Sequence, residues 1–185
     1  PPATALRASP ARAAMVLQQT LGEADIAARW DAASRLDVGL LVGGLAVALH
    51  GYARTTMDVD IVLAMNPDNL ARFISGARLA GLHPTIPVAI ESLARDLIEQ
   101  WHRDKGMLAF SLGTAETQAT VIDVLIRPVV AYADLRRDAL VVAVGPYAIP
   151  VASIDHLIAM KSGTGRNKDA IDIEELEKLR RRKSS

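Results

Sequence analysis

An α+β fold, built as a mixed α/β arrangement and not as a doubly wound sheet, is the class this sequence predicts. Three observations predict it. Two apolar, β-branched runs, "TMDVDIVLAM" and "ATVIDVLI", read as strands that each carry acids. Helical spacing dominates "NPDNLARFISGARLAGL" and the charged C-terminus. Between them the elements follow no regular βαβ alternation, so the uniform parallel sheet of a doubly wound fold is not expected.

Taken in order, the chain first shows "PPATALRASPARAAMVLQQTLG", with Arg7 and Arg12 and no acid before Glu23, a faint likeness to a transit peptide. A frayed start over residues 1–12 leading into a helix is the preferred reading, with one or two helices expected over Ala13–Leu36. "LDVGLLVGGLAVALHGY" predicts a short strand to about Val42, a glycine corner, and a helix from about Leu45 to near Gly51. "TMDVDIVLAM" follows as a strand, and Asn66-Pro67 opens a helix whose apolar positions are Leu70, Phe73, Ile74 and Ala77. "ESLARDLIEQWH" is expected to be helical. "GMLAFSL" and "ATVIDVLI" are expected as strands around the polar turn "GTAETQ". "ALVVAVGPYAIPVAS" predicts a hairpin about Gly145-Pro146, and "SIDHLIAMKSG" and "NKDAIDIEELEKLRRRKSS" predict two closing helices.

Composition limits what such a fold can do. With 185 residues, 50% of them hydrophobic, one globular domain with a substantial core is expected over 1–185, with 153–185 as a C-terminal helical extension. Lys plus Arg and Asp plus Glu balance at 21 each, so any nucleic-acid contact must come from a local patch. Only 4% of residues are aromatic, which disfavours base-stacking platforms. The absence of cysteine excludes disulfides and thiolate metal sites and suits a reducing cytoplasm. The longest uncharged apolar run, Val38–Leu49, falls well short of the ~20 residues a membrane-spanning helix needs. A cytoplasmic protein with no membrane partner is the expectation.

The acids carry the functional question. On a strand, i and i+2 share a face, so Asp58 and Asp60 project together while Val59 and Ile61 turn the other way. Two neighbouring carboxylates resist ionising together. A hard cation, Mg²⁺ or Mn²⁺, would relieve them; equally, they could be two harmless acids on a solvated face. Asp123 sits between Ile122 and Val124, where an isolated charge is costly unless a cation compensates it or the strand faces water at a sheet edge. Gly43 and Gly44 suit either close helix packing or the approach of backbone N–H groups to a phosphate.

As a constellation, these residues resemble the nucleotidyltransferase superfamily related to DNA polymerase β. Its pattern is an apolar strand, Gly-Gly or Gly-Ser, about a dozen residues, Asp-x-Asp, and later a third carboxylate between apolar residues. Here Gly43-Gly44 is followed after thirteen residues by Asp58-Val59-Asp60, and later by Ile122-Asp123-Val124. "HGYARTTMDVDI" and "IDHLIAMKSGTGRNKDAIDIEEL" are further similar to AbiEii-type and related small bacterial nucleotidyltransferases, the likeness running from about Leu40 to Leu176.

The resemblance implies a central mixed sheet flanked by helices, with C-terminal helices. It implies two Mg²⁺ ions (or Mn²⁺) on Asp58, Asp60 and Asp123, with Asp123 also helping to take a proton from the acceptor. It implies an NTP, such as ATP, cradled by Gly43 and Gly44, with Arg54 and Lys161 near its phosphates. In one departure, Leu45 follows the glycines where many relatives have a serine or threonine near the turn, so a phosphate-binding hydroxyl is missing.

Transfer of NMP to a hydroxyl of RNA or protein is the implied activity, on the toxin side of a toxin–antitoxin pair, with a cognate antitoxin or toxin protein as partner. The alternatives are a small-molecule acceptor, as in antibiotic-modifying relatives, and a non-catalytic binding module that keeps the fold. Among the remaining polar residues, Arg54 also reads as an ordinary surface arginine, His50 as a helix-end histidine, and Asp169 as a residue capping or complementing the last helix. The final "RRRK" reads as a solvated tail or a contact for RNA.

Overall fold

The computed structural model describes residues 39–52, 54, 56, 58–94, 97–114, 122–144 and 147–184. The expected N-terminal helices over Ala13–Leu36 and the turn residues 115–118 and 145–146 lie outside the described residues.

Seven strands form one mixed sheet: β1 (Gly39–Leu41), β2 (Val59–Leu63), β3 (Leu82–Pro84), β4 (Ala109–Thr114), β5 (Ile122–Leu125), β6 (Leu140–Val144) and β7 (Tyr147–Val151). Their order across the sheet is β3-β4-β5-β2-β1-β7-β6. β2 runs parallel to β5, and β1 parallel to β7; the other four pairings are antiparallel. Six helices accompany the sheet among the described residues: α1 (Gly43–Leu49), α2 (Pro67–Leu79), α3 (Leu97–Lys105), α4 (Tyr132–Arg137), α5 (Ile154–Lys161) and α6 (Asn167–Ser184). The architecture is α+β, with the mixed sheet the sequence predicts.

Local chemistry explains most of these elements. Asn66 caps α2 by accepting from the Asn69 N–H at 2.9 Å, and Pro67 takes the first helical position, where its missing N–H costs nothing. Leu70, Phe73, Ile74 and Ala77 then bury one stripe of that helix. Ser153 caps α5 in the same way, accepting from the His156 N–H at 3.3 Å. The hairpin of β6 and β7 forms as expected, with Val144 opposite Tyr147.

Three expectations shift. The helix expected from about Leu45 begins at Gly43, so the two glycines form its opening turn instead of a corner ahead of it. "ESLARDLIEQWH" divides into a 3₁₀ turn (Ile90–Ala94) and α3. β3 and α4 have no counterpart among the expected elements, because three residues of strand and six of helix leave too little periodicity to read.

The core brings these elements onto the central strands. Leu40, Leu41 and Val42 are essentially inaccessible, as are Val62 and Leu63 of β2 and Val124 of β5. Every residue of α1 after Gly43 is buried, and α1 lies against both C-terminal helices, α5 and α6, which also pack on each other. His50, at the end of α1, is buried and engages the Ala152 carbonyl through Nε2 at 2.8 Å, which fastens this helix to the end of β7. Burial pushes its imidazole down to about 4, so it is a neutral helix-end histidine at physiological pH, in keeping with its sequence reading. Among the described residues no helix is long and apolar enough to cross a membrane.

Candidate functional site

β2 and β5 put the acids together. The parallel ladder sets Val59 against Ile122, Asp60 against Asp123 and Ile61 against Val124. Residues paired across a ladder point to the same face, so the Asp60 and Asp123 side chains stand side by side. Asp58 lies two residues before Asp60, just outside the strand and exposed. The Asp60 carboxyl is pushed above its ordinary value by burial first, then by the charge of Asp123 and of Asp58. The Lys161 ammonium and a hydrogen bond from the Gly44 N–H offset part of that rise. Asp58, Asp123 and Lys161 therefore all act on Asp60, which puts the four in a single neighbourhood.

The glycine pair shapes the wall of that neighbourhood. The backbone of β1 ends beside β2, with the Val42 N–H donating to the Asp60 carbonyl at 2.9 Å. Gly43 then takes φ +65°, in the left-handed region that side chains avoid. A Cβ there would lie 1.8 Å from Asp60 Oδ2, an impossible overlap. Glycine at 43 is thus required twice, by backbone conformation and by the closeness of the carboxylate. At Gly44, a Cβ would come within 3.0 Å of the Arg54 guanidinium carbon and the Thr56 hydroxyl. The Gly44 N–H is spent on Asp60 here.

Arg54 and Lys161 both reach the site's margin, and both are already partnered. Lys161, the last residue of α5, is 8% exposed, and its ammonium lies 2.8 Å from Asp169 Oδ1 and 2.7 Å from Asp172 Oδ2. Arg54 pairs with the same Asp172 oxygen. Asp169 is as buried as Asp172, and also accepts from the Thr164 hydroxyl at 2.8 Å and the Arg166 Nε at 2.5 Å. Its burial works to raise its pKa, but the hydrogen bonds and charge of Lys161, with Thr164 and Arg166, outweigh that and hold it at about 2. Asp169 lies in the first turn of α6, where the reading as a residue complementing that helix puts it, and its carboxylate is in addition the hub of a buried ion-pair network. The basic tail is the end of α6, where Arg180 bridges back to Asp155 of α5 at 3.0 Å and Arg181 pairs with Glu177 at 3.8 Å.

Two site residues escape the sequence. Ser111 of β4 is the register partner of Asp123, and its hydroxyl donates to Asp123 Oδ1 at 2.5 Å. A serine within "LAFSL" is a weak hint of a polar partner, but only the β4–β5 register says whose. Asp172 is one acid among many in a charged helix. Its spacing three after Asp169 puts both on one helix face, which is the only signal available.

Among the described residues no three His, Asp or Glu side chains are closed around a common point as a ready-made cage. Asp58, Asp60 and Asp123 nevertheless form an all-oxygen donor set, in which burial and then the charges of its two neighbours raise Asp60, and a hard cation would offset both. The donor type fits Mg²⁺ or Mn²⁺.

No protein-family model matches this chain, and no curated protein matches it.

Proposed function

We propose that this protein is a Mg²⁺-dependent nucleotidyltransferase that moves a nucleoside monophosphate from an NTP to a hydroxyl of RNA or protein. The observation that carries the reading is the in-register pair Asp60 and Asp123, with Asp58 beside it and a side-chain-free glycine at 43 pressed against Asp60. Asp58, Asp60 and Asp123 would hold the metal. When bound, Mg²⁺ supplies positive charge to the entering and leaving oxygens of an in-line displacement.

The chain's own groups cover the remaining needs. Asp123, oriented by Ser111, would accept the proton of the acceptor hydroxyl as that oxygen bonds to the α-phosphorus and pyrophosphate leaves. The opening turn of α1 brings the backbone at Gly43 and Gly44, which the resemblance puts against the triphosphate, directly beside Asp60, and Arg54, over Gly44, provides a fork of donors suited to phosphate oxygens. Cytoplasmic action as the toxin of a toxin–antitoxin pair, with a cognate antitoxin as protein partner, is the biological setting we infer.

The test is incubation with each α-labelled NTP, Mg²⁺ and total RNA or lysate, alongside Asp60→Asn. Label should pass to an acceptor with the native protein and not with the variant. Label on a small molecule alone would move the assignment to the antibiotic-modifying type. No labelling and no thermal stabilisation by Mg²⁺ with any NTP would leave a non-catalytic binding module.

A further inference from the structure

We infer that Asp172 is a positioning residue, which, itself anchored by Lys161, holds Arg54 in place as a preformed cationic donor for a polyphosphate. The inference rests on the nucleotidyltransferase reading and extends it to a residue outside the acid triad. Three segments meet at this carboxylate, one of them distant in sequence: the link between α1 and β2 through Arg54, with the end of α5 through Lys161 and the second turn of α6 through Asp172 itself. One oxygen, Oδ2, serves both cations.

Burial makes the arrangement specific. Asp172 is 2% exposed, so its charge would be costly without partners, and it has two. The two cations differ in what they can still do. Lys161 is enclosed by Asp169 as well as Asp172, and its ammonium balances buried charge. Arg54 remains partly exposed and has Asp172 as its acidic partner, so a planar fork with five donors keeps capacity for further acceptors. Its guanidinium carbon lies 3.0 Å from where a Gly44 Cβ would stand, so Asp172 fixes Arg54 over the first turn of α1. Without that anchor, a long flexible side chain would have to be ordered by the ligand itself, at a cost in affinity.

The test measures inorganic triphosphate with Mg²⁺ by calorimetry on the full chain, for the native protein, Asp172→Asn, Arg54→Gln and the double variant. Asp172→Asn keeps the shape and removes the charge. It should bind triphosphate about tenfold more weakly, the equivalent of one charge-assisted hydrogen bond. In the Arg54→Gln background the same change should cost markedly less, because the residue it positions is gone. Native affinity in a folded Asp172→Asn, or an equal loss with and without Arg54, overturns the inference while leaving the nucleotidyltransferase reading in place. Absence of triphosphate binding by the native protein removes both. Should Asp172→Asn fail to fold, Asp172→Glu replaces it: the extra methylene should displace Arg54 and weaken binding, and native affinity there counts against the inference.

Discussion

Asp60 of β2 and Asp123 of β5 are direct partners across a parallel ladder, so two carboxylates from distant parts of the sequence share one face at one level of the sheet. Neither has a cation of its own within the strands. The Lys161 charge tempers Asp60 but does not cancel the burial and the two acids that raise it.

Replacing Asp60 by asparagine should therefore make the metal-free protein more stable at neutral pH while abolishing any nucleotidyl transfer. The sign follows from the raised pKa. The folded state holds the proton more tightly than the unfolded one, so ionisation at Asp60 costs stability progressively as pH rises through the ordinary carboxylate value and toward the folded one. Asp60→Asn removes that cost, and its advantage should shrink as pH falls from the raised folded value toward about 4, below which both states are protonated and it is gone. Melting curves from pH 3 to 8 check this; each 1 kcal/mol moves Tm by about 2–4 °C in a protein of this size.

Gly43→Ala should be among the most damaging single-methyl changes in the chain. The left-handed backbone alone costs about 1–2 kcal/mol for a non-glycine residue, and the new Cβ would also displace the Asp60 carboxylate. Gly163, at φ +84° with open space around it, isolates the backbone part. Gly163→Ala should lose only that part, and urea unfolding of the two variants measures the difference.

Lys161→Met is expected to destabilise the fold by about 3–5 kcal/mol, because it leaves Asp169 and Asp172 short of a buried partner. Weaker NTP binding by this variant would consequently say little about direct phosphate contact unless stability is measured alongside. Lys161→Met combined with Asp172→Asn should recover part of the loss, a double-mutant comparison read by denaturant titration.

Acid should loosen the junction of α5 and α6 through Asp169. Its pKa is lowered from 3.8 to about 2, so its contribution is full above about 4 and is lost as pH falls toward 2. The size is about 2 kcal/mol by linkage. Asp169→Asn should melt below the native protein at pH 7, and the gap between them should narrow steadily through that window.

What the sequence determined by itself is whatever repeats with the period of the backbone. The alternation of Val59 and Ile61 with Asp58 and Asp60 announces a strand, and Asn66-Pro67 followed by Leu70, Phe73 and Ile74 announces a helix start and its buried stripe, because strand pleat and helix pitch leave their mark on neighbouring residues. The two aspartates and the glycine pair were legible as candidates for the same reason: charged or side-chain-free positions stand out against an apolar run. Tertiary structure alone decided who meets whom. Asp60 faces Asp123, Ser111 orients Asp123, and Asp172 gathers Arg54 and Lys161 because of strand order, ladder register and the docking of α6 on α5. These are long-range outcomes of burying a shared core, and burial gives an aspartate in a charged helix its partners without marking the local pattern of the chain.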